Sequence, residues 1–404
     1  MRPLMPLPGV EPLDETPVFL PTTGSFASRN FIYSCCVFVL LGVVTTMLGS
    51  LLPVLSRHWR LTAAMAGGLF SWQFCGATLG TLLSAKLRQK HFKHLEYIGL
   101  LLCICGVFSL GYLSWPWLRL SVACFGVGLG FAIPAINLTV SANSNARAAS
   151  LAVLNACWTI GAILGPLAMQ LFFEIKTFLL NLAILIAVAL LVGVNLDTDE
   201  VGGHKNQPAR KRGAAGTAVA AFAALFFLYV GMENAIAGWI ASYALPIVHS
   251  EHRSMTASAV FWGTFLCARL LAPLLPSESL SGRIFFIAGV VAVLGMSALL
   301  FSRENTLLIL GICLSGFGLG CIYPILIAAM VEVIGAENPA ATVCFAFSGL
   351  GAAMFPLAAG WLGQATGRAN NGIALSLSAM CLIFFLYSGV SRLVRAPLSR
   401  AAMS

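Results

Sequence analysis

Charge is what this chain has little of. Only 9% of its 404 residues are Asp, Glu, Lys or Arg, against 59% hydrophobic, and mean hydropathy is +0.91. Soluble domains carry about 25% charged residues, so the composition excludes a soluble fold. Acids are scarcer than bases, 14 against 23, and all six histidines fall in loops or at the ends of apolar runs. A histidine relay within the membrane is thereby excluded. Nothing has the spacing of a metal site, no nucleophile stands beside a histidine, and no acid–base pair shares an apolar run. The glycine-rich segments are not followed by Gly-Lys-Ser/Thr, so they cradle no phosphate. We therefore expect no enzyme, no cofactor and no nucleic-acid partner, the net charge of +9 notwithstanding. Cys103 and Cys105 come closest to a metal pair, yet no histidine is near them. The 12 cysteines are expected to be small buried hydrophobes. Residues 1–30 lack the basic start, apolar core and cleavage site of a signal peptide, and are expected to form a disordered cytoplasmic tail.

Long apolar runs are what the chain has in abundance. Twelve candidate spans cover 31–54, 62–85, 95–114, 117–141, 148–173, 177–195, 217–245, 254–275, 283–301, 305–331, 339–364 and 372–394. Each is close to the ~20 residues that a hydrocarbon core requires of a helix. The longest polar connection, 196–216, carries Lys205, Arg210, Lys211 and Arg212 and divides the chain into bundles at 31–195 and 217–394, with a short tail at 395–404. The expected architecture is all-α: twelve transmembrane helices in two six-helix bundles. Lys and Arg are concentrated on the side that holds both termini, so the positive-inside rule puts both in the cytoplasm and the protein in the inner membrane.

The two halves repeat one another. Gly126-Val-Gly-Leu-Gly-Phe-Ala-Ile-Pro134 in the fourth span answers to Gly316-Phe-Gly-Leu-Gly-Cys-Ile-Tyr-Pro324 in the tenth. Gly42 and Gly49 of the first span match Gly231 and Gly238 of the seventh, and Gly161–Pro166 has a looser echo in Gly349–Pro356. Duplicated bundles whose helices are interrupted by glycine and proline at corresponding places are the mark of secondary transporters.

One stretch concentrates the chemistry: Tyr229-Val-Gly-Met-Glu-Asn-Ala-Ile-Ala-Gly-Trp-Ile-Ala-Ser-Tyr243. A carboxylate at the centre of a span costs at least ~2.5 kcal/mol on insertion scales, so Glu233 requires a role. At ~100° per residue Tyr229 and Glu233 share a face, Asn234 flanks it, and Tyr243 is ~80° away. Glu233, Asn234, Trp239, Tyr229 and Tyr243 are therefore candidate solute contacts, with Glu233 also the candidate proton carrier. Asn137, Gln73 and Asn155 are uncharged amides suited to hydroxyl groups, although such amides also bond helix to helix for about 0.6–2 kcal/mol. Trp158 offers a face for a sugar ring and Tyr323 precedes the proline of the tenth-span repeat. Arg269, in the eighth span, and Glu332, at the end of the tenth, are expected to pair when an inner gate shuts, because an unpaired arginine there is costly.

Six plus six spans, a basic central loop and this glycine pattern resemble the major facilitator superfamily across 31–394. The seventh-span stretch, with Phe261-Trp-Gly-Thr-Phe-Leu-Cys-Ala-Arg269 in the eighth, is similar to the fucose/glucose-galactose permease branch. The resemblance implies that spans one, four, seven and ten line a midplane site about which the halves rock. Two departures stand out. Gly80–Lys90 lacks the aspartate usual in the loop after the second span, and the carboxylates that fucose/proton symporters place in spans one and four are absent. Span one offers only Thr45 and Thr46, and Ile133 stands where the second acid would align. Any proton coupling then falls to Glu233. The expected function is secondary active or facilitative carriage of a small neutral, monosaccharide-like solute by alternating access, by a monomer in the bilayer, with the proton as candidate coupling ion through Glu233. A drug or metabolite efflux antiporter, or a non-transporting sensor, are the alternatives.

Overall fold

Inside a bilayer no water is available to backbone amides and carbonyls, so a spanning segment must satisfy them within itself, as an α-helix does. The computed structural model describes residues 28–87, 92–143, 147–172, 174–196, 216–271, 281–335, 338–368 and 370–401. They form twelve helices: α1 (Arg29–Trp59), α2 (Ala63–Leu87), α3 (Phe92–Leu110), α4 (Leu118–Asn143), α5 (Arg147–Met169), α6 (Ile175–Asn195), α7 (Gly216–Val248), α8 (Glu251–Leu271), α9 (Ser281–Phe301), α10 (Asn305–Ile334), α11 (Pro339–Thr366) and α12 (Asn371–Ala401). Among the described residues there is no strand. The expected N-terminal tail and the 196–216 linker lie almost wholly outside the described residues. Several helices outrun their apolar spans because local caps end them. Ser28 Oγ accepts from Phe31 N at the start of α1, and Gly367 closes α11 in the left-handed region at φ 66.

Eleven of these helices are long and apolar enough to cross a membrane by composition alone. The exception is α2, which carries Ser71, Gln73, Thr78, Thr81 and Ser84. Its polarity is absorbed by neighbours. Ser71 Oγ donates to Ala353 O of α11 at 2.7 Å, Gln73 Nε2 to Thr45 O of α1 at 2.7 Å, and Thr81 Oγ1 to Gly130 O of α4 at 3.3 Å. Packed on α4 and α11, α2 needs little apolar surface of its own.

The sequence repeat has a packing meaning. A Cβ on Gly126 or Gly130 of α4 would strike the backbone of α2 at Gln73 or Ala77, and one on Gly128 would strike α3 at Gly99 and Cys103. The α10 copy does the same one half later: Gly316 and Gly320 press on α8 at Phe261 and Phe265, and Gly318 on α9 at Ala288 and Ala292. Likewise Gly161 of α5 abuts Val39 of α1, and Gly351 of α11 abuts Phe227 of α7. Lipid supplies no hydrophobic drive between helices, so close backbone approach at small residues holds each half together. The cysteines are all free, but only Cys103, Cys321 and Cys344 are buried. Cys36, Cys75, Cys105, Cys267 and Cys381 are exposed, which corrects the expectation that all are interior.

The halves meet mainly at one end, where α1, α5 and α11 finish and α2 and α8 begin. There Gly49 of α1 faces its repeat partner Gly238 of α7, so a Cβ on Gly49 would lie 3.1 Å from the Gly238 Cα. Gln170 Nε2 donates to Thr256 Oγ1 at 3.2 Å, Ala64 N donates to Gln364 Oε1 at 3.1 Å, and Arg57 pairs with Glu251 at 2.7 Å. At the opposite end the described parts of α4 and α5 make no substantial packing on α10 and α11. The cleft between the halves therefore opens at the end where α1 starts.

Two predictions follow from this packing. Gly128→Ala should lower stability by roughly 1–3 kcal/mol, since backbone atoms cannot give way. Gly389→Ala, whose added Cβ meets open space, should not. The check is the temperature at which each detergent-purified variant leaves its monodisperse peak. At the closed end, Arg57 is 73% exposed, so its ion pair is worth at most ~1 kcal/mol. Glu251→Gln should then change solute exchange by no more than about fivefold, whereas Gly49→Leu, wedged between α1 and α7, should stop turnover in proteoliposomes.

Candidate functional site

Thr45 lies near the middle of α1 and Glu233 near the middle of α7, and α1 packs on α7. From these two points a continuous set of side-chain contacts runs around the cleft. On the N-terminal side, Thr45 is held from two directions: Gln73 Nε2 donates to its carbonyl, and Trp158 Nε1 of α5 donates to its Oγ1 at 3.4 Å. The Trp158 ring meets Trp262 of α8 edge to face at 5.4 Å, which carries the chain of contacts into the other half. Trp262 packs edge-on against Phe265 at 5.2 Å, and the Arg269 guanidinium sits over the Phe265 ring at 4.4 Å.

Arg269 stands within electrostatic range of Glu233, Tyr229 and Tyr323. The Tyr229 hydroxyl donates to Leu319 O of α10 at 2.7 Å and lies close to the Glu233 carboxyl. Its ring is stacked on Tyr323 at 5.8 Å. Arginine, carboxyl and two phenols thus converge from α7, α8 and α10. No other acid is near this cluster among the described residues.

The residues singled out in the sequence divide in two. Glu233, Asn234, Asn137, Trp158 and Tyr323 are all part-exposed at mid-helix positions, as surfaces lining an open cleft must be. Asn234 Nδ2 is tied back to Val230 O at 2.8 Å, which leaves its Oδ1 without a partner among the described residues. Asn155 is exposed, with its amide N–H bonded to Leu151 O.

The rest are packing positions, and here the structure corrects the expectation of solute contact. Tyr229 is fully buried and serves Glu233 rather than a ligand. Trp239 donates its indole N–H to Pro356 O of α11 at 2.9 Å, and its ring is stacked on Tyr243 at 6.2 Å. Tyr243 in turn presses its hydroxyl against Gly372 of α12. Both rings bind α7 to its neighbours. Gln73, 1% exposed, positions Thr45 instead of facing the cleft. Arg269 and Glu332 form no ion pair in this conformation: Glu332 is exposed at the end of α10, while Arg269 reaches the Glu233 cluster.

Trp262 and the Arg57–Glu251 pair were missed by sequence reasoning. Trp262 sat inside a quoted motif, and its contact with Trp158 depends on how α8 docks on α5, which no single-helix periodicity encodes. Arg57 lies in the last turn of α1 and Glu251 at the start of α8, and only the tertiary fold decides which charges at helix ends meet.

The Major Facilitator Superfamily model matches residues 34–336. A curated relative, the glucose/mannose transporter GlcP of Bacillus subtilis (strain 168), is 23% identical over 373 residues, covering 87% of this chain and 92% of the relative. Among solved structures, a D-xylose–proton symporter superposes with a TM-score of 0.71 at 12% identity, covering 88% of this chain and 96% of the other. A bacterial homologue of the human lysosomal transporter Spinster, in an inward-facing and occupied conformation, gives 0.70 at 14% identity, covering 90% and 96%. The matched model covers most of both helix bundles, including both GxGLG repeats and the Glu233–Arg269 cluster, and the chain belongs to the major facilitator superfamily.

Proposed function

We propose that this transporter carries a small neutral, monosaccharide-like solute across the inner membrane by alternating access, and that Glu233 binds the proton that drives it. The glucose/mannose carriage named for the Bacillus relative supports the solute class. So does the chemistry of the cleft: one carboxyl, one guanidinium, amides and aromatic faces suit a ring with hydroxyls, with apolar faces for the ring and fixed polar groups for its orientation. Both termini lie in the cytoplasm, so the open end of the cleft is the inward one.

The observation that carries the proton assignment is the surroundings of the Glu233 carboxyl. The Tyr229 phenol close to it has one proton, which goes to the Leu319 carbonyl at 2.7 Å. A protonated Glu233 can donate to the phenol oxygen without disturbing that bond. An ionised Glu233 would compete with Leu319 for the phenol proton. In the cycle, Glu233 gains a proton from the outer face and loses it when the cleft opens inward, and Tyr229 holds the carboxyl in place in both states. No second acid in α1 or α4 shares the task.

The test is uptake of labelled fucose, galactose, glucose and mannose into proteoliposomes, with and without an inward proton gradient. Wild-type protein should accumulate at least one of them above equilibrium only with the gradient. Glu233→Gln should lose that accumulation yet keep gradient-free exchange of the same sugar. Gradient-driven accumulation persisting in Glu233→Gln overturns the proton assignment, and no flux of any of these sugars overturns the solute class.

A further inference from the structure

We infer that Arg269 is a solute-binding and specificity-determining residue that grips two adjacent hydroxyl oxygens of the solute, and is not a gate residue. The inference rests on the solute class proposed above.

Arg269 carries an unmet donor. Its Nε is buried and has no hydrogen-bond partner among the described residues. It comes near Glu233 without forming an ion pair, since the pair described in this fold is Arg57–Glu251. A guanidinium carries five N–H donors and no acceptor, and leaving a buried donor unmet costs its full desolvation. The group is nonetheless held still. The Phe265 ring lies beneath it at 4.4 Å, and Phe265 is itself fixed by Trp262 and by the close approach of Gly320. A planar fork of donors, fixed in orientation and with its Nε lacking an acceptor among the described residues, is a preformed receptor for a pair of oxygens about one guanidinium edge apart.

The neighbours decide which pair. A carboxylate fits such a fork, but it brings no protons. Beside Arg269 stands the Glu233 carboxyl, and the next residue along α7, Asn234, is part-exposed with its Oδ1 lacking a donor among the described residues. A ligand suited to the whole group must therefore accept from Arg269 and donate to α7. Adjacent hydroxyls on a sugar ring do both through the same atoms. Tyr323, part-exposed and stacked on the buried Tyr229, closes the remaining side with aromatic surface.

The experiment uses the full-length protein in proteoliposomes and the transported hexose found above, compared with its monodeoxy analogues in gradient-free exchange. In wild type, removing one hydroxyl of the recognised pair should raise KM about 10–100-fold, the scale of a hydrogen bond to a charged group. Arg269→Lys keeps the charge but loses the fork. It should raise KM for the parent sugar to nearly that of the deoxy analogue and abolish the discrimination between them. Arg269→Gln should do likewise, and the melting temperature of each purified variant identifies loss of folding. A fall in maximal rate with discrimination intact assigns Arg269 to gating and overturns the inference. Sugar-acid uptake preferred over the parent hexose in wild type overturns the diol. Absence of flux for every hexose in wild type would remove the solute class itself, an outcome separate from flux that is indifferent to Arg269.

Discussion

The bundle depends on helices approaching until backbone meets backbone. In lipid, apolar side chains gain nothing by leaving their surroundings for one another, so cohesion comes from close packing and interhelical hydrogen bonds. The glycines of α4 and α10 supply that closeness twice over, each motif seating its first and third glycine on one neighbour and its middle glycine on another. A half built in this way is stiff. It can tilt against the other half, but it cannot easily deform within itself.

Stiff halves place the demands of function on the surface between them. At the closed end that surface is made of small residues and a few polar contacts: Gly49 against Gly238, Gln170 with Thr256, Ala64 with Gln364, and an exposed ion pair. None of these is individually strong. An interface that must open in every cycle has to be a sum of modest terms, and polar groups near the membrane edge find water when they separate. The same reasoning explains why α2, which runs along the interface on α11, carries hydroxyls and an amide where other spans carry leucine.

At the centre, Glu233 and Arg269 place ionisable groups inside the bundle, and the aromatic frame around them makes that tolerable. Phe265 and Trp262 fix the guanidinium, while Tyr229 and Tyr323 flank the carboxyl. Trp158, bonded to Thr45 and touching Trp262, joins this frame to the first half. A displacement of α5 against α8 would therefore be felt directly at Arg269 and Glu233.

Sequence alone determined the class of protein, the number of helices, their pairing into related halves and the stretch around Glu233. These are local or periodic properties: apolar length, glycine spacing and the expense of a charge in hydrocarbon. It also put Tyr229 and Glu233 on one face, because four residues make roughly a turn of helix. Which side of α7 faces the cleft was decided by tertiary structure. Trp239 and Tyr243 read as site residues by chemistry, yet α11 and α12 claim them, through Pro356 O and Gly372. Arg269 read as a partner for Glu332 once an inner gate shuts; with the cleft open at that end, the rotation of α8 against α7 and α10 brings it within range of Glu233. Distance along a helix is written in the chain, but the azimuth at which one helix docks on another comes from the packing of all twelve.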